Sequence, residues 1–219
     1  MAPTSRATST SGAQTGAPVA QEAAPAVNRR AEILRAAGTL FRRNGYHATS
    51  MRQLARHLNL QGASLYTHID SKEQLLKEIV DRAADAFLAS AAAVPVEGHP
   101  AERLAAFIRG HLHVVQHEIE TAAVFFHEWT HLSGAARQHI IERRDAYQAH
   151  LRRIIQAGAD SGDFRVRDVD MATLLTLSTL NWSYQWFDPR GRLSLDELTE
   201  QFTTYVFGAL GAKNGVHHG

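Results

Sequence analysis

The pentapeptide His127-Glu128-Trp129-Thr130-His131 carries side chains that can do chemistry at a spacing that matters. On a helix, H-E-x-x-H puts two imidazoles on one face with a carboxylate beside them. In a zinc peptidase the histidines hold the metal and the glutamate is the general base. Residues 127–137 read H-E-W-T-H-L-S-G-A-A-R, which approaches the longer form H-E-x-x-H-x-x-G-x-x-H. Gly134 is in place, but Arg137 stands where a third histidine belongs, and a guanidinium has no lone pair to give. His111, His113, His117 and His139 are near in sequence, and the pair 113/117 repeats the four-residue spacing. Three readings stay open. Glu128 and Trp129 face a pocket or core and the histidines sit on a polar helix face; or His127 and His131 bind a metal; or the chain is a metal-dependent hydrolase. We assign no catalytic residue, no cofactor and no metal ligand, and keep His127 and His131 as the metal candidates.

The elements that position this motif must come from the rest of the chain. With 219 residues it can bury a core of one or two domains. It has no cysteine, which excludes a disulfide scaffold and any thiolate zinc site and fits a reducing cytoplasm. No 18-residue apolar run exists, so no membrane span is expected. Residues 1–28 are small and polar and are expected to form a disordered tail, and 211–219 a flexible C-terminus. Charge is unevenly placed. Residues 29–80 hold nine Lys/Arg against four Asp/Glu, whereas 81–219 hold thirteen against seventeen. A basic block on an acidic body points to a polyanion as partner of the first part.

Helical period runs through almost every segment after residue 29, with no sustained alternation. The expected fold is all-α, about nine helices. Ile33, Ala37, Leu40 and Phe41 make one stripe that Gly45 ends; Ser50 with Gln53 and Ser71 with Gln74 open the next helices as caps. Further helices are expected over about 101–118, 121–132, 135–159, 169–187 and 195–208. The organisation predicted is a three-helix unit at 29–77, with a helix-turn-helix at about 50–69, followed by a helical body at 78–210.

Helices two and three of the first unit, joined by a three- or four-residue turn, have helix-turn-helix geometry, which places the second helix in a major groove. Ser50 at a helix N-terminus can offer its hydroxyl and backbone N–H groups to a phosphate. Gln61, Ser64, Tyr66 and His68 lie on or beside the third helix, Lys72 lies just beyond, and Gly62 allows a close approach to the bases. The sequence also resembles the DNA-binding domain of TetR-family transcriptional regulators. The resemblance rests on A-x-x-L-F-x-x-x-G-Y at 37–46, T-S-M-R-Q-L-A at 49–55 and S-L-Y-x-H-I-x-S-K-E-x-L at 64–75. It implies a homodimer with an all-helical ligand-binding body, and aligns Ser50, Gln61, Ser64, Tyr66, His68 and Lys72 with positions that touch operator DNA. Gly62 departs from it, standing where relatives often carry Lys or Arg.

All three tryptophans, Trp129, Trp182 and Trp186, lie in the body, with Phe125, Phe126, Tyr147, Tyr184 and Phe187. Trp182 and Trp186 are four apart and would share a helix face. Such aromatics either line a concave apolar pocket or pack a core. The segments HEWTHLS, RRDAYQAHLRRIIQAGADSGDFR and NWSYQWFDPRG resemble the branch of the family that responds to acyl-CoA thioesters in fatty-acid, phenylacetate and steroid-side-chain degradation. An acyl-CoA effector needs an apolar tunnel and a cationic mouth. The residues expected to line it are Phe87, Phe125, Glu128, Trp129, Arg143, Arg144, Tyr147, Asn181, Trp182 and Trp186, with Arg152 and Arg153 as further cations or as a solvated face. The last two helices are expected to form a four-helix dimer contact, through Val169, Leu174, Leu175, Leu177 and Leu180 and through Leu198, Phe202, Tyr205, Val206 and Leu210; the same positions also suit monomer core. Function then reads as a repressor released from its operator by an acyl-CoA. A different hydrophobic or metal effector is the alternative, and the hydrolase the distant one.

Overall fold

A computed structural model describes residues 26–188 and 190–212. The tail expected over 1–28 falls outside it up to residue 25, and the C-terminal segment from 213 on also lies outside. Among the described residues there are nine α-helices and no strand, as the periodicity required: α1 (Ala26–Asn44), α2 (Met51–His57), α3 (Gly62–Tyr66), α4 (Lys72–Ala92), α5 (Pro100–His117), α6 (Ile119–His127), α7 (Gly134–Asp160), α8 (Val169–Trp182) and α9 (Leu195–Ala209).

Helices α1 to α3 are set by local chemistry. Gly45 takes φ +84 and closes α1 by donating its N–H to the Phe41 carbonyl at 2.8 Å. Ser50 then caps α2 in a complete box: its Oγ accepts from Gln53 N at 3.2 Å and Gln53 Oε1 accepts from Ser50 N at 2.7 Å. Asn59 makes the left-handed turn into α3 with φ 54. Ile33, Ala37, Phe41, Leu54, Leu65 and Ile69 bury together beneath the three helices.

The two units share one helix. α4 starts beside α3, capped by Ser71, and runs on until Phe87 enters the core of the body. The expected boundary at residue 77 therefore falls inside a continuous helix. α4 packs on α5, α6 and α7; α1 packs on α6 as well as on α2 and α4; α8 lies on α7 and α9 on α5. No described helix is long and apolar enough to cross a membrane.

Two expected helices end early. α6 stops at His127 and Glu128–His131 is a 3₁₀ turn; α8 stops at Trp182 and Ser183–Gln185 is another. At 3.0 residues per turn the four-residue spacing no longer stacks side chains on one face. Two readings made on α-helical spacing, the H-E-x-x-H face and the shared face of Trp182 and Trp186, are corrected accordingly.

Candidate functional site

On the outer face of α1–α3, Leu65 and Ile69 are buried while Tyr66, between them, is 55% exposed. Ser50, Gln61 and Gly62 are exposed, and Ser64 and His68 half-buried. Ser50 spends its hydroxyl on the capping box, which leaves the first N–H groups of α2 pointing outward for an anion. The His68 carbonyl accepts from Arg30 at 2.7 Å, and Arg30 also pairs with Glu78 on α4, so the end of the reading segment is tied to α1 and α4. A Cβ added at Gly62 would meet nothing within 4 Å, so its surface is open for close approach.

Lys72 is placed differently from a solvated surface charge. Its Nζ lies 4.2 Å from the centre of the Tyr46 ring and donates to the His47 carbonyl at 3.4 Å. Burial pulls its pKa below the ordinary lysine value, with Glu128 opposing that shift.

Glu128 and His131 of the H-E-x-x-H motif turn toward this same spot. The Tyr46 N–H donates to Glu128 Oε2 at 3.1 Å. His131 stacks on Tyr46 with ring centres 5.4 Å apart, and its Nδ1 lies 3.0 Å from His47 Nε2. His131 Nε2 lies 3.3 Å from Glu128 Oε2. His127 faces away and packs on Tyr184 at 5.3 Å. The two histidines therefore do not converge, and among the described residues no three His, Asp or Glu side chains are grouped to hold a metal. A second tie runs alongside, with Ser133 N and Oγ donating to Glu73 Oε1 on α4 at 3.1 and 2.7 Å. The motif thus forms a joint between the body and the first unit.

Inside the body lies a cavity of ≈ 210 Å³. Phe87, Phe125, Phe126 and Tyr147 give it aromatic walls, Leu174, Leu177, Ser178 and Asn181 of α8 close one side, and Arg144, Asp145 and Gln148 line its edge. Phe87 stacks on Phe125 at 5.5 Å and meets Tyr147 edge-on at 5.5 Å. Behind Tyr147 is His111, fully buried, with Nδ1 2.9 Å from the Tyr147 hydroxyl. Burial lowers the His111 pKa to about 3 and raises that of Tyr147, so the pair is uncharged. A wider groove of ≈ 370 Å³ between α1 and the end of α2 is lined by Glu32, Arg35, Thr39 and His57. It is open and polar and lacks the apolar walls a small-molecule site needs.

Of the expected effector residues, Phe87, Phe125, Arg144, Tyr147 and Asn181 meet at this cavity. The other five lie elsewhere. Glu128 belongs to the joint. Trp129 sits outside the wall, its ring 5.0 Å from the Arg144 guanidinium. Arg143 pairs with Asp85. Trp182 and Trp186 are exposed, Trp186 stacking on Phe202 at 6.0 Å. Arg152 pairs with Asp170 at 2.5 Å. Phe126 stands out in the sequence only as an aromatic of the body, and the α8 side chains that line the cavity suit dimer contacts equally well. The role of His111 behind Tyr147 has no sequence signal, because a histidine on an otherwise apolar stripe looks like a break in the pattern. Leu177, Leu180, Leu198, Phe202, Val206 and Leu210 are buried in the single chain, whereas Met171, Leu174, Leu175, Trp182, Trp186 and Tyr205 are exposed.

Known proteins resemble the chain over both units. Residues 33–79 match the family described as bacterial regulatory proteins, tetR family, and residues 97–210 match the tetracyclin repressor-like C-terminal domain. The HTH-type transcriptional repressor KstR2 of Mycolicibacterium smegmatis is 28% identical over 194 residues, 87% of this chain and 95% of its own. The crystal structure of the TetR family regulator PfmR from Thermus thermophilus superposes with TM-score 0.73 at 32% identity, covering 85% of this chain and 99% of that one. The crystal structure of AibR in complex with isovaleryl coenzyme A and operator DNA gives TM-score 0.73 at 30% identity, covering 84% and 100%.

Proposed function

Since the chain belongs to the TetR family of bacterial regulatory proteins, and so to DNA-binding regulators rather than enzymes, we propose that it is a homodimeric repressor released from its operator by an acyl-CoA thioester. The observation that carries the effector reading is the aromatic cavity of ≈ 210 Å³ with a guanidinium at its edge. Effector sites usually have about 300–1,000 Å³, so this one suits a short branched or single-ring acyl group, with the rest of a coenzyme A outside. AibR, bound to isovaleryl coenzyme A and operator DNA, supports the effector reading, and the transcriptional repressor KstR2 supports the repressor reading.

On the DNA side, Tyr66, Gln61, Ser64 and His68 face the groove, the α2 N-terminus and Lys72 meet phosphates, and Gly62 brings the helix close. The exposed apolar residues of α8 and α9 hold two copies together in the cytoplasm, setting the two α3 helices about 34–36 Å apart for successive major grooves. The effector acts by preferring a different arrangement, and weakens DNA binding only by its differential affinity for the two.

Titrating the protein with isovaleryl-CoA, benzoyl-CoA and a long-chain acyl-CoA, with free CoA as control, tests this through tryptophan emission. A saturable change at micromolar short-chain thioester and none with CoA is expected. A response to free CoA alone, or to no thioester, would remove the acyl-CoA assignment.

A further inference from the structure

Arg144 occupies an unusual position. In the same helix Arg143 pairs with Asp85 and Arg152 with Asp170. Arg144 has no ion pair among the described residues, although burial is strong enough to pull its pKa below the ordinary arginine value. Its one hydrogen bond is to the Phe125 carbonyl at a long 3.3 Å. Its guanidinium lies 5.0 Å from both the Phe125 and the Trp129 rings. It therefore touches the cavity on one side and, on the other, the 3₁₀ turn whose Glu128 and His131 hold Tyr46 and His47.

We propose that Arg144 is the trigger of the switch, reading an oxyanion on the effector and releasing the 128–131 turn when it does so. The proposal rests on the effector-responsive reading above. A guanidinium offers five donors, and this half-buried one gives the protein a single long bond to a neutral carbonyl, which leaves donors free for an anion. A carboxylate or phosphate arriving at the cavity's edge offers a bidentate, charge-assisted pair at about 2.7–2.9 Å, which outcompetes that carbonyl. Turning toward the anion takes Arg144 off Trp129 and off the end of α6. The turn then loses its inner support, Glu128 no longer holds the Tyr46 N–H, and the loop before the Ser50 cap is freed together with Lys72.

The Tyr46 amide reports the joint directly, so hydrogen exchange of segment 45–49 in the intact protein is the test. Arg144→Gln and Glu128→Ala should each speed it by about three- to tenfold, the size expected for loss of one protected hydrogen bond. The double variant should be no faster than the faster single one, because both act on one joint. Segment 104–115 in α5 serves as a fold control, and Arg144→Lys, which keeps charge without the planar fork, decides the matter if Arg144→Gln loosens α5 too. Wild-type exchange at 45–49 in the Arg144 variants, with acceleration in Glu128→Ala, would overturn the proposal. Isovaleryl-CoA and isovalerate, added separately to the wild type, supply a second arm. Acceleration by isovalerate assigns a carboxylate, and acceleration by the thioester alone assigns the phosphate-bearing ligand. Binding of the thioester with no change at 45–49 from either ligand overturns the relay. Failure of every thioester to bind would remove the acyl-CoA assignment, and the Arg144 variants would then decide the relay by themselves.

Discussion

His111 shows how a single buried group sets a solution property. It is fully buried and held at about 3, far below its ordinary 6.5. An unfolded chain takes up a proton there near 6.5, whereas the folded chain refuses it until about 3. The associated stability is complete above 6.5 and falls as pH drops through that window, since the unfolded state binds more protons there. At pH 5 the loss from this residue is about 2 kcal/mol. Urea unfolding at pH 7.5 and pH 5, at fixed protein concentration, should show a fall that shrinks by that amount in His111→Gln. An unchanged pH slope in the variant would remove His111 as its source. Gly62 allows a second check at this scale. Gly62→Lys adds a cation on open surface at the DNA-reading face, and should steepen the salt dependence of DNA binding by about one unit of slope.

Among the elements, α7 is constrained at one point by its packing on Phe164. A Cβ on Gly158 would stand 2.1 Å from Phe164 Cδ2 and 2.4 Å from its Cε2, against a buried ring that cannot swing away. Gly158→Ala gains about 1 kcal/mol of helix propensity but costs about 1–3 kcal/mol in overpacking, so its melting temperature should fall. A rise would show that the ring moves freely. Ser50→Ala should lose about 1 kcal/mol through the α2 cap and weaken DNA binding evenly across sequences. The same comparison shows where sequence reading succeeds and stops. Caps at Ser50 and Ser71, and the turn at Gly45, are legible because each is local chemistry over three or four residues. The H-E-x-x-H residues are misplaced by sequence because periodicity cannot report that α6 tightens into a 3₁₀ turn at Glu128. Nothing local shows that Glu128 will face Tyr46, 82 residues away. Phe87 and Tyr147 are legible as cavity candidates from their place among the body's aromatics. Leu174 and Ser178 are not, since apolar and small residues on a terminal helix serve a cavity and a dimer equally well.

At the scale of the whole molecule, α8 connects two surfaces. One side closes the cavity through Leu174, Leu177 and Asn181, and the other exposes Leu175 at 61%. Tyr205 on α9 is 63% exposed, and Trp182 and Trp186 extend the apolar surface. Leu175→Arg should convert the dimer to monomer in sedimentation and weaken operator binding, because half-sites one turn apart need two linked α3 helices. A stable dimer in that variant would move the interface elsewhere. α4 gives the molecule its reach, since one unbroken helix carries Lys72 at the first unit and Phe87 at the cavity wall. In the mechanism proposed above, movement at the cavity would reach the DNA-reading face along α4 and through the joint at Glu128. The most direct measurement is fluorescence anisotropy of a labelled duplex, selected from random sequence by the purified protein, as isovaleryl-CoA and a panel of other short acyl-CoA thioesters are added at near-physiological salt. The account predicts tight binding without effector and release by at least one short-chain thioester at micromolar levels, with no release by free CoA. A protein that selects a duplex and keeps its affinity unchanged with every thioester would contradict it.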